Sequence, residues 1–590
     1  MKLANLFLFL AAFPGFAAQP IISYSLEVDA GNLSSVDVTI EVHHAPETFR
    51  LAMARHPEYD DRFFRYVEDL RVEAAPGRAA IKPLTENLWQ VSAPGGNATV
   101  RYRIRLPAYA PGARGSWRPF LAPTGGLVGD LHTFLYMLEA PDAPSHITLR
   151  LPEGWTVATA LAPTSDPHIF FASSAGALAE SPILAGQLRE WRFTVEGTPY
   201  HIAYWPLPDA APFDERAFTG GVEKLVREAV AVFGIAPWRE YSFLIEDGAR
   251  GALEHPDSLT IGIPSASLAK DPYSFHEDLA HEFVHAWNLM RIHPVEYRGL
   301  DYRAPEPSAG LWFSEGLSMF YADLLLRRAG LPTGTPTRIA HLEHLMSRYL
   351  ANPAYERFSA ERVSRVAYNA RPDALGDYTA SAHLVGELLG AMLDLILRDA
   401  TGNRRSMDDL MRAMLDRFSG PRGFTGKDIE TAAAGLCGCD VTPFFDAYVR
   451  GATHTPFDRY LALAGLRAET ALENTGEPDL RAYAWTDPAD NTVRLQITDP
   501  ASVWGRAGLH SGDQILRLNG AAVDTVAAAR ASIAGLKTGA VLSIEVNHAG
   551  VSRSAKVTVE PLERLRVRIS RLPNPTDRQQ AVLEAWRSGR

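Results

Sequence analysis

From residue 20 to about 200, apolar and polar positions alternate with a period of two. Ile22, Tyr24, Leu26 and Val28 alternate with Ser23, Ser25, Glu27 and Asp29, and Val100, Tyr102, Ile104 and Leu106 are separated by three arginines. That period predicts half-buried antiparallel strands. The turn-forming clusters APGGN and APGARG separate the runs, so the expectation for 19–200 is a β-rich, sandwich-like domain. From about 214 the period lengthens. DERAFTGGVEKLVREAVAVFG spaces Val222, Leu225, Val226 and Ala229 as a helix does, and Gly234 ends it. A mixed region and then mostly helices follow to about 462. ENTGEPDL, 473–480, reads as a polar connection, and a compact strand-rich unit runs beyond it to about 562. The last stretch, NPTDRQQAVLEAWRSGR, predicts one short helix. The expected organisation is multidomain α+β: a β-rich domain at 19–200, a mainly helical domain at 201–465, a third unit at 475–562 and a tail at 563–590.

Composition narrows the function classes. A chain of 590 residues exceeds one compact core, and 46% apolar with 22% charged residues is ordinary for globular domains. A net charge of −11 offers no basic stripe for phosphates, so nucleic acid is not an expected partner. MKLANLFLFLAAFPGFAAQP has one lysine, an apolar run from Leu6 to Phe13, then small residues, which reads as an export signal over residues 1–18, cleaved near Ala17 or Ala18. The expectation is a periplasmic or secreted protein with no transmembrane segment, because Glu387 and Asp394 interrupt the most apolar later run, Leu384 to Leu397. Cys437 and Cys439 are the only cysteines, and a bridge across one intervening residue is not expected, so both are read as inert thiols. Any metal must then use histidines and carboxylates.

HEDLAHEFVHAWN, 276–288, holds such residues. His281 and His285 are four apart, about 40° around a helix, and can reach one ion together. His276 lies about 140° away and cannot join them. Ser274 and Glu277 in SFHE fit a capping box, which leaves His281, Glu282 and His285 facing the chemistry. A zinc hydrolase wants three protein ligands and an open position. Glu315, a charge within the apolar helical pattern LWFSEGLSMFYADLLLRRAG, is the candidate third ligand, with Glu296, Asp301 and Glu306 in a Pro-rich loop as rivals.

With GALEH, HEFVHAWN and LWFSEG in this order after a β-rich domain, the chain resembles the PDZ-containing glycyl aminopeptidases among the gluzincin zinc metallopeptidases. The resemblance implies a thermolysin-like zinc peptidase domain and one zinc ion on His281, His285 and Glu315. Glu282 would be the general base that takes a proton from the attacking water and passes it to the leaving amine. It implies further that Tyr378, in GDYTASAHLVGELL, donates to the oxyanion, although Ala380 and Ser381 stand where the family usually has Lys-Gly; His383 is the next residue to consider. Glu254 in GALEH would hold the free amine of a peptide. Gly251 and Ala252 would lie along its backbone, with Ala252 in place of a second glycine, and the pocket is expected to be shallow and to favour N-terminal Gly or Ala. PASVWGRAGLHSGDQILRLNGAAV resembles a PDZ domain, for which AYAW, 482–485, is the candidate carboxylate-binding loop and a peptide or protein is the candidate ligand. The implied partners are peptides with a free N-terminus. The alternatives are a zinc endopeptidase and a PDZ peptide-binding protein whose peptidase domain is degenerate.

Overall fold

The computed structural model describes residues 19–55, 62–74, 77–107, 112, 114–297, 307–368, 370–453 and 455–589. The expected export signal at 1–18 and the rival ligands Asp301 and Glu306 lie outside the described residues.

The N-terminal region is built from three sheets. In the largest, Ile21–Glu27 pairs with Ser35–His43 on one side and with Ser145–Arg150 on the other. The period-two pattern does what it predicts: Tyr24, Leu26, Val38, Ile40, Val100, Tyr102 and Ile104 all point into one core. The expected boundary at 200 falls inside a hairpin. Arg189–Val195 and Thr198–Trp205 pair with each other, and the second of them runs parallel to Tyr241–Glu246 in a different, five-stranded sheet. That sheet continues through Ser258–Gly262 to Ala252–Glu254, which is its edge strand. A half-buried hairpin has the same periodicity in either sheet, so the pattern cannot say which one it joins.

The helix expected from 214 spans Glu215–Phe233, capped by Asp214 and ended by Gly234 in the left-handed conformation. It packs against the helices His276–His285, Leu311–Arg328 and Met407–Phe418, and these enclose one large core together with Ala382–Thr401 and the five-stranded sheet. Two local expectations fail here. Ser274 does not cap the first of these helices: its N-cap is Phe275, without a side-chain bond. Cys437 and Cys439 are joined in a disulfide; Gly438 between them takes a φ of 62°, a conformation open to glycine, and the Cα atoms are 5.1 Å apart, inside the range a bridge spans. Glu387 and Asp394, which break the apolar run, are buried on His341 and Arg398. Among the described residues no helix is long and apolar enough to cross a membrane.

The polar connection at 473–480 is also not a loop. It ends a long strand, Leu466–Pro478, paired antiparallel with Pro561–Arg571. This ribbon lies along the helix Arg338–Leu350, where Val567 and Ile569 donate backbone N–H bonds to Ser347 and Glu343. Between its strands sits a compact unit with its own core around Leu495, Ile497, Trp504, Leu509, Ile544 and Val557. The short helix expected before Gly508 is Val503–Arg506 and the strand after the 511–513 turn is Gln514–Leu518. AYAW, expected as a loop, is the edge strand Ala482–Thr486. The tail at 563–590 is not free. Its helix, Asp577–Ser588, buries Trp586 beneath the Arg338 guanidinium, which donates to the Trp586 carbonyl at 2.5 Å.

Candidate metal centre

The helix His276–His285 turns an aromatic face to the core, where Phe283 and Trp287 pack among Phe233, Trp238 and Tyr241. Its other side presents His281, Glu282 and His285. His276 is fully buried instead and meets the Phe218 carbonyl at 3.1 Å. The second helix is brought onto the first by Asn288, whose amide donates to the Phe313 and Ser314 carbonyls at 3.2 and 2.9 Å.

His281, His285 and Glu315 converge as a possible metal site. The two Nε2 atoms are 3.1 Å apart, and Glu315 Oε2 lies 3.5 Å from one and 3.3 Å from the other. Three ligands placed tetrahedrally around a zinc ion at about 2.0–2.1 Å stand roughly 3.3 Å from one another. The donor set fits a cation for a second reason. His285 Nδ1 donates to the Asn288 carbonyl at 2.9 Å, so Nε2 is the nitrogen turned to the other imidazole, where it would offer its lone pair to an ion. Burial disfavours charge on His285, but Glu315, Glu254 and Glu282 around it hold its pKa well above the ordinary imidazole range. Burial and then His285 push His281 down to about 4. Burial also opposes charge on Glu315, yet His285 and His383 hold its carboxyl well below the usual range. A buried pocket with this set of carboxylates suits a dication. Glu296, a rival ligand, instead accepts from Ser308 at 3.2 Å.

Glu254 ends the edge strand Ala252–Glu254, is 5% exposed, and has its pKa raised by burial, with His285 and Glu315 the next influences. Burial and then Glu254 raise Glu282 well above the carboxylate range. The two carboxylates are therefore near enough to the His285 ring for each to feel its charge. Ala252 shares the Glu254 face of the strand and packs in the main core. At Gly251, φ is +70° and a Cβ would stand 2.7 Å from the Trp117 ring, while its carbonyl accepts from Ser116 Oγ at 2.9 Å. The N-terminal region thus closes this end of the strand, a contribution the sequence reading missed because nothing in SW, 116–117, marks it.

The contacts of Tyr378 lie with its neighbours in the chain's 357–358 turn. Its ring packs edge-on to Phe358, 5.8 Å between centroids, and under the Arg357 guanidinium at 5.2 Å. The groups that do reach Glu315 are Tyr368, whose hydroxyl donates to Oε1, and His383, whose Nε2 lies 3.0 Å from Oε2. His383 is 41% exposed and so stands between the cluster and solvent. It is delivered by a backbone-to-backbone helix crossing. A Cβ on Gly386 would lie 1.8 Å from the Trp312 carbonyl, and one on Gly316 would lie 2.3 Å from Gly386. Tyr368 carries no periodic or motif signal, so only the fold reveals it.

A helix-borne His-x-x-x-His pair, completed by a glutamate from a second helix and set beside the edge strand of a sheet, defines a metallopeptidase type of site. Comparison with known proteins narrows it. The family model described as M61 glycyl aminopeptidase matches residues 274–388, and that of the M61 peptidase N-terminal domain matches 23–187. Both matches are to models of the M61 glycyl aminopeptidase family, one over the segment that carries the metal cluster and one over the N-terminal region. No curated protein matches the chain. Among solved structures, an aminopeptidase N family protein from Idiomarina loihiensis is 19% identical with a TM-score of 0.76, covering 96% of this chain and 100% of that one, which shows a shared fold. A mutant M1 zinc metallopeptidase from Deinococcus radiodurans, bound to a Tyr-Ser-Ala substrate, is 19% identical with a TM-score of 0.48, covering 74% of this chain and 96% of that one.

Proposed function

We propose that the protein is an exported zinc aminopeptidase that removes a small N-terminal residue, Gly or Ala, from peptides. The observation that carries this reading is the His281, His285 and Glu315 donor set, spaced for one ion and set beside a buried carboxylate on an edge strand. A zinc ion held there would supply a Lewis acid and lower the pKa of water to about 7. Glu282, on the same helix face, takes the proton from the attacking water and hands it to the leaving amine. His383 and Tyr368, already aimed at this corner, are the side chains placed to donate to the developing oxyanion, a role first assigned to Tyr378. Glu254 pairs with the substrate ammonium, which restricts cleavage to chain ends. The family name and the close packing of Trp117 on Gly251 support a small first residue. We read the C-terminal unit as PDZ-like, since Ala482–Thr486 is a sheet edge beside the helix Val526–Ala534, although Arg530 already donates to the Ala484 carbonyl at 2.8 Å.

The test is a panel of peptides with Gly, Ala, Leu and Phe termini, free and N-acetylated, assayed with zinc-loaded wild type and Glu254→Ala. Free Gly and Ala termini should be cleaved best, and acetylated ones poorly. Loss of the charge-assisted contact in Glu254→Ala should lower kcat/KM by roughly 10- to 150-fold and narrow the gap between free and blocked peptides. Equal cleavage of free and acetylated peptides by wild type would replace this reading with an endopeptidase.

A further inference from the structure

The segment joining the helices Ala360–Arg365 and Ala382–Thr401 touches Glu315 near its start, through Tyr368, and leads into the helix whose first turn brings His383 to the same carboxylate. Its middle is gripped by the C-terminal unit. Asp377 accepts from His510 Nδ1 at 2.8 Å and from the Ser511 backbone N–H at 2.6 Å. Gln496 donates to the Gly376 carbonyl at 3.1 Å. Arg371 pairs with the buried Asp487 at 3.2 Å and lies 5.3 Å from the Trp485 ring. Gly512 leaves so little room that a Cβ there would be 2.9 Å from the Asp373 carboxylate. A merely tethered module needs none of these bonds, and a connecting segment with no strand or long helix of its own gains its fixed shape from them.

We infer that Asp377 is a positioning residue: by bridging to His510 and Ser511 it fixes the segment that seats Tyr368 on Glu315 and leads into the helix bearing His383, so that the C-terminal unit is part of the active-site scaffold. The inference rests on the zinc reading of the cluster. A carboxylate ligand held on both oxygens keeps one orientation toward the ion, and loosening the segment releases that restraint without removing any ligand.

The full-length protein tests it in two forms, loaded with zinc for kinetics on a glycine anilide and with cobalt(II) for its visible spectrum. Asp377→Ala should keep one metal ion per chain, lower kcat about 3- to 30-fold and leave KM within about two-fold. Its cobalt spectrum should differ from that of wild type, because the environment of Glu315 has changed. Asp377→Asn, which can still accept from Ser511, should fall between the two. Asp377→Ala combined with His510→Ala should be no worse than Asp377→Ala alone. Arg506→Ala, which removes an exposed pair with Glu560 on the same unit, should match wild type. Asp377→Asn and Asp377→Ala with wild-type kcat and wild-type cobalt spectra would overturn the inference, as would activity lost only in step with metal content. If zinc-loaded wild type releases no glycine, the aminopeptidase reading fails, and the cobalt spectra still decide the positioning role.

Discussion

Two regions deliver groups to Glu315, and they are constructed in opposite ways. His281 and His285 come from one helix, where a spacing of four residues places both rings on one face whatever surrounds them. Tyr368 and His383 flank an irregular segment and reach the same carboxylate only because a glycine helix crossing and a separate domain hold them there. The difference teaches that a site has a local half, robust to its context, and an assembled half, dependent on distant contacts. Substitutions in the two halves should fail differently.

The largest effect is expected in the helical half. Glu282→Gln should keep zinc and fold yet lower turnover by about 10²- to 10⁴-fold, because the proton acceptor beside the two histidines is gone. Turnover near wild type in metal-loaded protein would move the base elsewhere and break the contrast. The assembled half comes next. His383→Ala and Tyr368→Phe should each cost up to about 10²- to 10³-fold in kcat if the residue is the oxyanion donor, with little change in KM. Tyr378→Phe, three residues from the helix that carries His383, should stay within a few-fold of wild type. A large kcat loss in Tyr378→Phe alone would show that the segment rearranges when substrate binds.

The smallest effect lies outside the site and sharpens what surrounds a buried imidazole. His132, in the N-terminal region, is fully buried, and neither ring nitrogen has a hydrogen-bond partner; burial alone lowers its pKa to about 3. His285 is as deeply buried, but the carboxylates around it hold its pKa high. A histidine whose folded pKa lies below its unfolded value binds a proton more readily when unfolded. Its stabilising effect is therefore full above the ordinary value of 6.5 and is lost as pH falls toward about 3. His132→Phe should flatten the stability curve across that window, seen as a smaller fall in the urea midpoint between pH 7 and pH 4. An unchanged slope would mean that the ring is hydrated in solution.

Residues whose role depends on near neighbours in the chain were legible beforehand. The alternation in 22–28 and 100–106, the Asp214 to Gly234 helix, the His281 and His285 pair and the burial of Glu315 all follow from periods and caps. What was misread depended on pairing across long separations. The 189–205 hairpin looks the same in either sheet, 473–478 reads as a linker until 561–571 lies beside it, and Cys437 and Cys439 needed the left-handed Gly438 to meet. For Tyr378 a motif gives only the position, since it does not say which way an irregular segment turns its rings, and the Tyr378→Phe enzyme is what decides its role.

The sequence by itself determined the chemistry available: one helix face bearing two imidazoles and a carboxylate, a buried glutamate on a second helix, and an edge-forming GALEH. Those features rest on the covalent geometry of helix and strand, which acts within a few residues. The tertiary structure alone decided which side chains hold Glu315, which end of the strand Trp117 closes, and that Asp377 meets His510 and Ser511 133 and 134 residues away along the chain. Contacts of that range are selected by how whole surfaces pack, and no local pattern carries that information.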